Sequence, residues 1–507
     1  MKKYTIGIDI GGTNTDAVIV DSQENIIAST KVPTTRAVHL GLKSALAETL
    51  TKGNISAQDI QTIAIGTTHA TNALLQETDL YKVGLIRIAG HKPDTLPPCL
   101  SWTESLSSKV FAGFITIDGG YECDGREITP LNPVEVKRAI DSLLYAGAEA
   151  IAVVGVFSPL YHAQEKLIAE IVHEKLGADF PCTLSHQIGG IGIIERENAC
   201  ILNSALIRAL TFGFQNIRLV LDELQLTAEV FITQNNGTLI TIDEALKFPI
   251  KTISSGQTNS FIGAGKLAKT DDAIVIDIGG TSSDCGVLLS KFPRRTLNNT
   301  KIGGVMLNFP MPDVISIALG GGSIVNEQDF SIEPKSVARE LLTRAKSFGG
   351  DCLTLTDVAL AAGKMTHPKQ RVEVTVPHAN ILQNIALKIE ELAEHMHKQA
   401  LPLVIVGGGA VLIDKQYSQA EIIIPDNFAV ANAYGAALAE FSAGYDNIVS
   451  LTDREQTLEE IKQVVLNDLL AMGVSSESAR IIDQVIIPFH YMPGNMARVL
   501  MTAAGRK

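Results

Sequence analysis

Asp9-Ile10-Gly11-Gly12-Thr13-Asn14-Thr15-Asp16 recurs as Asp277-Ile278-Gly279-Gly280-Thr281-Ser282-Ser283-Asp284, with six of the eight positions identical. Each copy follows an apolar run (Tyr4 to Ile8; Ala273 to Ile276) and precedes another (Ala17 to Val20; Gly286 to Leu289). Two short β-rich runs around a Gly-Gly turn read as a β-hairpin. Two such hairpins so far apart predict a duplicated domain, because stacked repeats return every ~20–50 residues. Outward from them, strand and helix patterns alternate. Asn132-Pro133-Val134-Glu135 can cap and open a helix, with Val136, Ala139, Ile140, Leu143 and Leu144 at helical spacing. A buried strand, Ala150 to Phe157, follows. Leu382, Ile385, Ile389, Leu392 and Met396 form a second helical stripe before the strand Leu403 to Val406. This order predicts layered α/β architecture. We expect halves at 1–190 and 240–445, a helical connection over 191–239, and a small α/β appendage over 446–507.

Composition narrows the function. The 507 residues carry 42 Lys+Arg against 55 Asp+Glu, a formal charge of −13, with 5% aromatics. That balance argues against a nucleic-acid surface, which needs clustered cations and stacking rings. No run reaches the ~18 apolar residues of a membrane span, and Asp9 interrupts the first apolar stretch too early for a secretory leader. The six cysteines lack CxxC spacing and read as reduced thiols. A soluble, cytoplasmic protein is expected.

A Gly-Gly-Thr turn lets backbone N–H groups approach an anion without Cβ obstruction, and Thr adds a hydroxyl donor. The flanking aspartates would hold Mg²⁺ or its waters. One such turn is commonly just a tight hairpin; repetition of Asp, Thr and Asp favours a ligand site. Gly407-Gly408-Gly409 after the strand Leu403 to Val406, and Gly320-Gly321-Gly322, are weaker glycine signals of the same kind. Neither a P-loop pattern nor a placed GxGxxG is present. Gly66-Thr67-Thr68-His69-Ala70-Thr71-Asn72 is a polar cluster at a strand-to-helix junction, where α/β ligands gather. There Thr68, His69 and Asn72 either touch substrate, or Thr67 or Thr68 caps a helix and His69 is a satisfied buried side chain.

The paired hairpins and late triple glycine resemble the phosphate and adenosine motifs of the actin, sugar-kinase and heat-shock-chaperone superfamily. More narrowly, the chain resembles the hydantoinase/oxoprolinase family. The resemblance rests on Gly7 to Asp16, Ile65 to Leu75, Gly125 to Leu131, Gly155 to Pro159, Ser255 to Ser260, Asp277 to Asp284 and Leu319 to Ile324. The usual Ser-Gly-Pro of that family reads Ser255-Gly256-Gln257 here, and its A-type subunits are longer. The resemblance implies duplicated actin-like (ribonuclease H-like) ATPase domains with an interdomain nucleotide cleft. It implies an ATP-dependent hydrolase opening a small cyclic amide by phosphoryl activation, aided by a B-type subunit. A small-molecule kinase, an ATP-dependent carboxylase subunit and a nucleotide-gated binding module are the alternatives. ATP and Mg²⁺ are the expected cofactors. Asp9 and Asp277 are expected at the metal, with Asp9, Asp277, Asp284 and His69 catalytic. Gly11, Gly12, Thr13, Asp16, Gly279, Gly280, Thr281, Gly320 to Gly322 (Gly320, Gly321, Gly322) and Gly407 to Gly409 (Gly407, Gly408, Gly409) would line the nucleotide.

Overall fold

The computed structural model describes residues 4–34, 38–90, 96–296, 300–308, 310–398, 401–490, 492 and 494–507. The first hairpin is β1 (Tyr4–Ile10) and β2 (Asn14–Val20), continued by β3 (Ile26–Pro33). The apolar residues of β1 from Ile6 onward and of β2 are buried, so both faces of the sheet are covered there. β4 (Ile60–Thr67) runs parallel to β1 and leads into α1 (His69–Gln76). An inserted four-stranded sheet follows: β5 (Val83–Ile88), β6 (Phe111–Ile117), β7 (Ala150–Gly155) and β8 (Cys182–Leu184). Its order is β6-β5-β7-β8, all parallel. The helix Pro133–Tyr145 covers it, begun by Asn132 accepting from the Val134 N–H as the sequence predicts. The long helix α2 (Ile193–Glu223) then packs along the first half's core. β9 (Glu229–Thr233) and β10 (Thr238–Thr241) return to the first sheet, β9 parallel to β4.

The second half repeats this plan. After α3 (Ser255–Ala268) come β11 (Ala273–Ile278), β12 (Ser283–Leu289) and the short β13 (Phe292–Pro293). β14 (Leu403–Val406) and β15 (Ile422–Ile423) extend it in parallel. The order β13-β12-β11-β14-β15 matches β3-β2-β1-β4-β9 strand for strand, with the first three antiparallel. This is the duplicated ribonuclease H-like plan of actin-like ATPases. The strand Val314–Ile317 shares the outer edge of β12 with β13.

α3 and α4 (Ala431–Leu438) cross between the halves. A Cβ at Gly435 would lie 1.8 Å from the Asn259 carbonyl oxygen, and one at Gly263 2.0 Å from that of Ala431. Gly7 on β1 faces the Ala433 carbonyl at 2.0 Å in the same sense. Glycine is required here for space. Gly435→Ala is expected to cost about 3 kcal/mol, read as a lowered urea midpoint with unchanged slope.

The sheet crosses two expected boundaries. β9 and β10, placed by the sequence in a helical connection, are strands of the first sheet. The segment expected as an appendage supplies β17 (Arg480–Pro488) and β18 (Met496–Gly505), which pair with β16 (Glu440–Ser450). β16 pairs with β10, giving one nine-stranded sheet, β17-β18-β16-β10-β9-β4-β1-β2-β3. The reason is edge satisfaction: β10 would otherwise leave its outer N–H and C=O groups unpaired. The helix Arg454–Ala471 covers the added strands with Ile461, Val465 and Leu469.

Candidate functional site

Both strands of each hairpin run up to the turn, so the aspartates lie within the ladders. Asp9 sits directly opposite Asp16, and Asp277 opposite Asp284. Like charges in opposed positions repel, and here they are desolvated as well. Burial, then Asp16, pushes the Asp9 carboxyl up to about 7, and Asp277 pushes the same way. Burial raises Asp277 too, and burial drives Asp284 up to about 6.

The turns close identically: the Gly11 N–H donates to Asn14 O at 3.0 Å, and the Gly279 N–H to Ser282 O at 2.9 Å. None of Gly11, Gly12, Gly279 or Gly280 has a positive φ. Their lack of a side chain provides room. A Cβ on Gly280 would rest 3.2 Å from the Thr13 methyl, so the two turns meet tip to tip across the halves. Arg339 Nε donates to Gly12 O at 2.6 Å, a second link across the same gap.

Several residues at this junction were missed from sequence. Lys31 on β3 donates to Asp16 Oδ2 at 2.7 Å and to Ala429 O at 3.0 Å. Its charge lowers the pKa of both Asp9 and Asp277. Asn432 Nδ2 donates to Asp9 Oδ2 at 2.9 Å from the start of α4, and the Ser260 hydroxyl donates to Asp277 Oδ2 at 2.5 Å from α3. The Ser316 hydroxyl donates to Asp284. Gly66, opposite Asp9 in the ladder, leaves space beside Asp9 Oδ1, 3.0 Å from where its Cβ would be. For Lys31 a signal existed: it pairs in register with Asp16, so alternation along β2 and β3 puts both on one face. For Asn432 none did; Ser260 lies in the Ser255 to Ser260 stretch that carries the family resemblance, where no role was assigned to it.

Other expectations change. The N–H groups of Gly320, Gly321 and Gly322 donate to Ser323 Oγ, Gly279 O and Gly280 O. These glycines close around the second turn, with the Gly321 and Gly322 N–H groups spent on its carbonyls. Gly407 has φ of +84°, and a Cβ there would lie 2.1 Å from Asp277 Oδ1. Gly409 packs on Ile278, and Gly408 approaches the Lys31 side chain. After this triplet comes a short 3₁₀ turn, Gly408–Leu412. His69 Nδ1 bonds Thr67 Oγ1, and the ring rests against α2 at Gly213. Burial holds its pKa below the usual value. Thr68 Oγ1 donates to Ile10 O at 2.9 Å and accepts from Asn72 Nδ2 at 3.0 Å. Thr67, not Thr68, supplies the side chain that accepts from the His69 N–H. Thr68, backed by Asn72, thus fastens α1 to the end of β1, His69 ties it to β4 and α2, and Thr68 also borders Gly256 beside Asp9.

The donor set fits a hydrated divalent cation. Asp9 Oδ1 and Asp16 Oδ1 are buried without a hydrogen-bond partner, as are Ser255 Oγ and Asn259 Oδ1. No cluster of three or more ligating side chains occurs among the described residues. Mg²⁺ does not need one, because it keeps most of its waters and takes one or two carboxylates. Lys31→Met would leave Asp16 buried and unpaired, costing about 3 kcal/mol. Mg²⁺ is expected to restore part of the lost melting temperature; an unchanged melting temperature in the variant would remove the Lys31–Asp16 pair from this account.

Comparison with known proteins agrees with this picture. The hydantoinase/oxoprolinase N-terminal region matches residues 5–176, and the hydantoinase/oxoprolinase family proper matches 196–396. The caprolactamase alpha subunit of Pseudomonas jessenii is 26% identical over 475 residues, covering 86% of this chain and 66% of that protein. The acetophenone carboxylase gamma subunit of Aromatoleum aromaticum is 26% identical over 397 residues, covering 71% and 53%. The chain therefore spans between about half and two thirds of these relatives. The solved ATP-dependent caprolactamase of Pseudomonas jessenii superposes with a TM-score of 0.77 at 18% identity, covering 99% and 88%. That likeness concerns the fold.

Proposed function

Because the chain belongs to the hydantoinase/oxoprolinase family, we propose that it is an ATP-dependent enzyme that activates a small cyclic amide for ring opening. The observation carrying this reading is the meeting of the Thr13 and Gly280 turns above four aspartates with two orphaned buried oxygens. Mg²⁺, when bound, would supply positive charge against the phosphates. Asp9 and Asp277 would hold it through oxygen or retained water, with Asp16 positioned by Lys31. The backbones of Gly12-Thr13 and Gly280-Thr281 would cradle phosphates, one set from each half, with Gly11 and Gly279 closing the turns beneath them. The Gly407 to Gly409 turn, set against Asp277 and Ile278, would flank the nucleotide.

The chemistry balances as follows. The lactam carbonyl oxygen attacks the γ-phosphorus and ADP leaves. Water adds to the activated carbon, the C–N bond breaks, and the nitrogen takes up a proton, leaving an acyl phosphate. A second water releases inorganic phosphate and the amino acid. An unstrained lactam keeps its amide resonance and resists water, so the phosphoryl group supplies the missing electrophilicity. Asp284, raised to about 6, is poised to accept a proton near neutral pH. The relatives' designations as alpha and gamma subunits support a companion chain that completes hydrolysis.

A second reading, an ATP-dependent carboxylase subunit, is favoured by the acetophenone carboxylase relative. One experiment separates the two: phosphate release is measured with lactams, hydantoins, ketones plus ¹³C-bicarbonate, and sugars, with mass analysis of products. Stimulation by a lactam with a ring-opened acid supports the hydrolase. Label incorporated into a ketone, or a stable phosphosugar, overturns it. Among the described residues no helix is long and apolar enough to cross a membrane.

A further inference from the structure

The inserted sheet carries its own polar cavity, far from the aspartates. It measures about 90 Å³ and lies outside the carboxyl ends of β7 and β8, where α/β proteins hold ligands. Its walls include Pro159, His186 and Gly190 on one side and Asn447, Ile448 and Arg498 on the other. The second wall comes from β16 and β18, so the cavity joins the inserted sheet to the C-terminal strands. Gly213, beside His69, and Ile193, near the cavity, are 20 residues apart on α2, about 30 Å at helical rise. The two sites are separate.

The groups are arranged with care. Glu165, fully buried on the helix after β7, accepts from the Gly155 N–H (2.9 Å), the Ser185 hydroxyl (2.6 Å), and the His186 N–H (3.1 Å) and Nδ1 (2.6 Å). These donors hold its carboxyl below the ordinary range, His186 most of all. A fixed carboxylate on Nδ1 orients the ring, leaving Nε2 as the second ring nitrogen. The His162 ring stacks on His186 at 4.6 Å. Arg196, wholly buried, ties the loop to the sheet through Gly155 O, Ser185 Oγ, Gly190 O and Ile191 O. Arg498 gives Nε and Nη2 to Asp446, both at 2.7 Å. Its Nη1 has no acceptor among the described residues, nor does the N–H of buried Gly190. The two are adjacent: a Cβ on Gly190 would lie 2.4 Å from Arg498 Nη1.

A buried donor without an acceptor is rare, and among the described residues the Gly190 N–H is one. Beside it stands Arg498 Nη1, also without a protein acceptor among the described residues, and the His186 ring lines the same cavity. We propose that the cavity is a binding site for a small carboxylate. One oxygen would accept from Arg498 Nη1 and the Gly190 N–H, and the other would face the His186 ring. The volume admits a formate- or acetate-sized group, and the flat guanidinium edge suits a planar anion.

The test uses the full chain. Sodium [¹³C]formate and acetate are titrated by NMR, with phosphate, acetamide and chloride as comparison arms, and the His186 ring ¹⁵N signals are followed. Saturable formate binding that shifts the His186 Nε2 resonance, and weakens at least tenfold in His186→Gln and Arg498→Met, is expected. The wild-type ¹⁵N shift decides the matter even where Arg498→Met fails to fold. Absence of that shift at saturating formate leaves only water in the cavity and overturns the proposal. Equal binding of phosphate, or preference for acetamide, overturns its carboxylate character. Asp277→Asn is expected to leave formate binding intact, which separates failure here from failure of the ATP-dependent reading.

Discussion

Asp277→Asn abolishes ATP turnover while leaving the melting temperature equal or higher. Asparagine keeps the size and can still accept from Ser260 at Oδ. What it removes is a charge at the point where phosphate and metal charges must be balanced, and losses of about 10²–10³-fold follow from deleting one such preorganised group. The stability sign runs the other way. Burial raises the Asp277 pKa in the folded chain, so above the unfolded pKa of about 4 its ionisation weighs against folding. Asparagine carries no such penalty at neutral pH. Steady-state phosphate release and thermal melts of the same preparation check both halves. Full turnover in the variant would take Asp277 out of the metal–phosphate role.

Gly407→Ala is the second large effect, and it costs both activity and stability. The residue stands at φ +84°, a region L side chains rarely occupy, and the new methyl would collide with Asp277 Oδ1. Backbone strain of this kind costs on the order of 1–3 kcal/mol, and displacing the carboxylate by about 1 Å costs about 10² in rate. We expect a lowered melting temperature with a roughly hundredfold fall in phosphate release. The neighbouring Gly408→Ala serves as control: its Cβ would meet only the Lys31 Cε, at an ordinary 3.7 Å. Equal losses in both variants would show that the turn needs flexibility rather than room at Asp277.

The hairpins were legible because their message is local. Asp-x-Gly-Gly-Thr-x-x-Asp fixes a turn and puts both aspartates on facing strands, whatever surrounds it. Helix periodicity was equally readable: Leu382 to Met396 is buried as the stripe requires. What could not be read depends on partners distant in the chain. Asn432 reaches Asp9 only because α4 crosses β1 at Gly7, and Gly321 and Gly322 spend their N–H groups on a turn about forty residues earlier. A glycine run looks the same whether it opens space for a ligand or for a neighbouring backbone. His69 stood in a polar cluster beside a strand end, yet its ring direction depends on Gly213 in α2. The place of β17 and β18 was hidden because edge strands announce their composition and not their neighbour.

The closure of the first sheet by β16 and β18 has a consequence for biosynthesis. A ribosome delivers β10 at residue 241, but its partner begins at Glu440. Through all the intervening synthesis the growing half presents a bare β edge, while the second half assembles β11 to β15 beyond it. The nascent chain must therefore keep that edge from other nascent chains until its own C-terminal strands emerge to cover it. The order of synthesis makes the N-terminal half the first to start folding and the last to be completed.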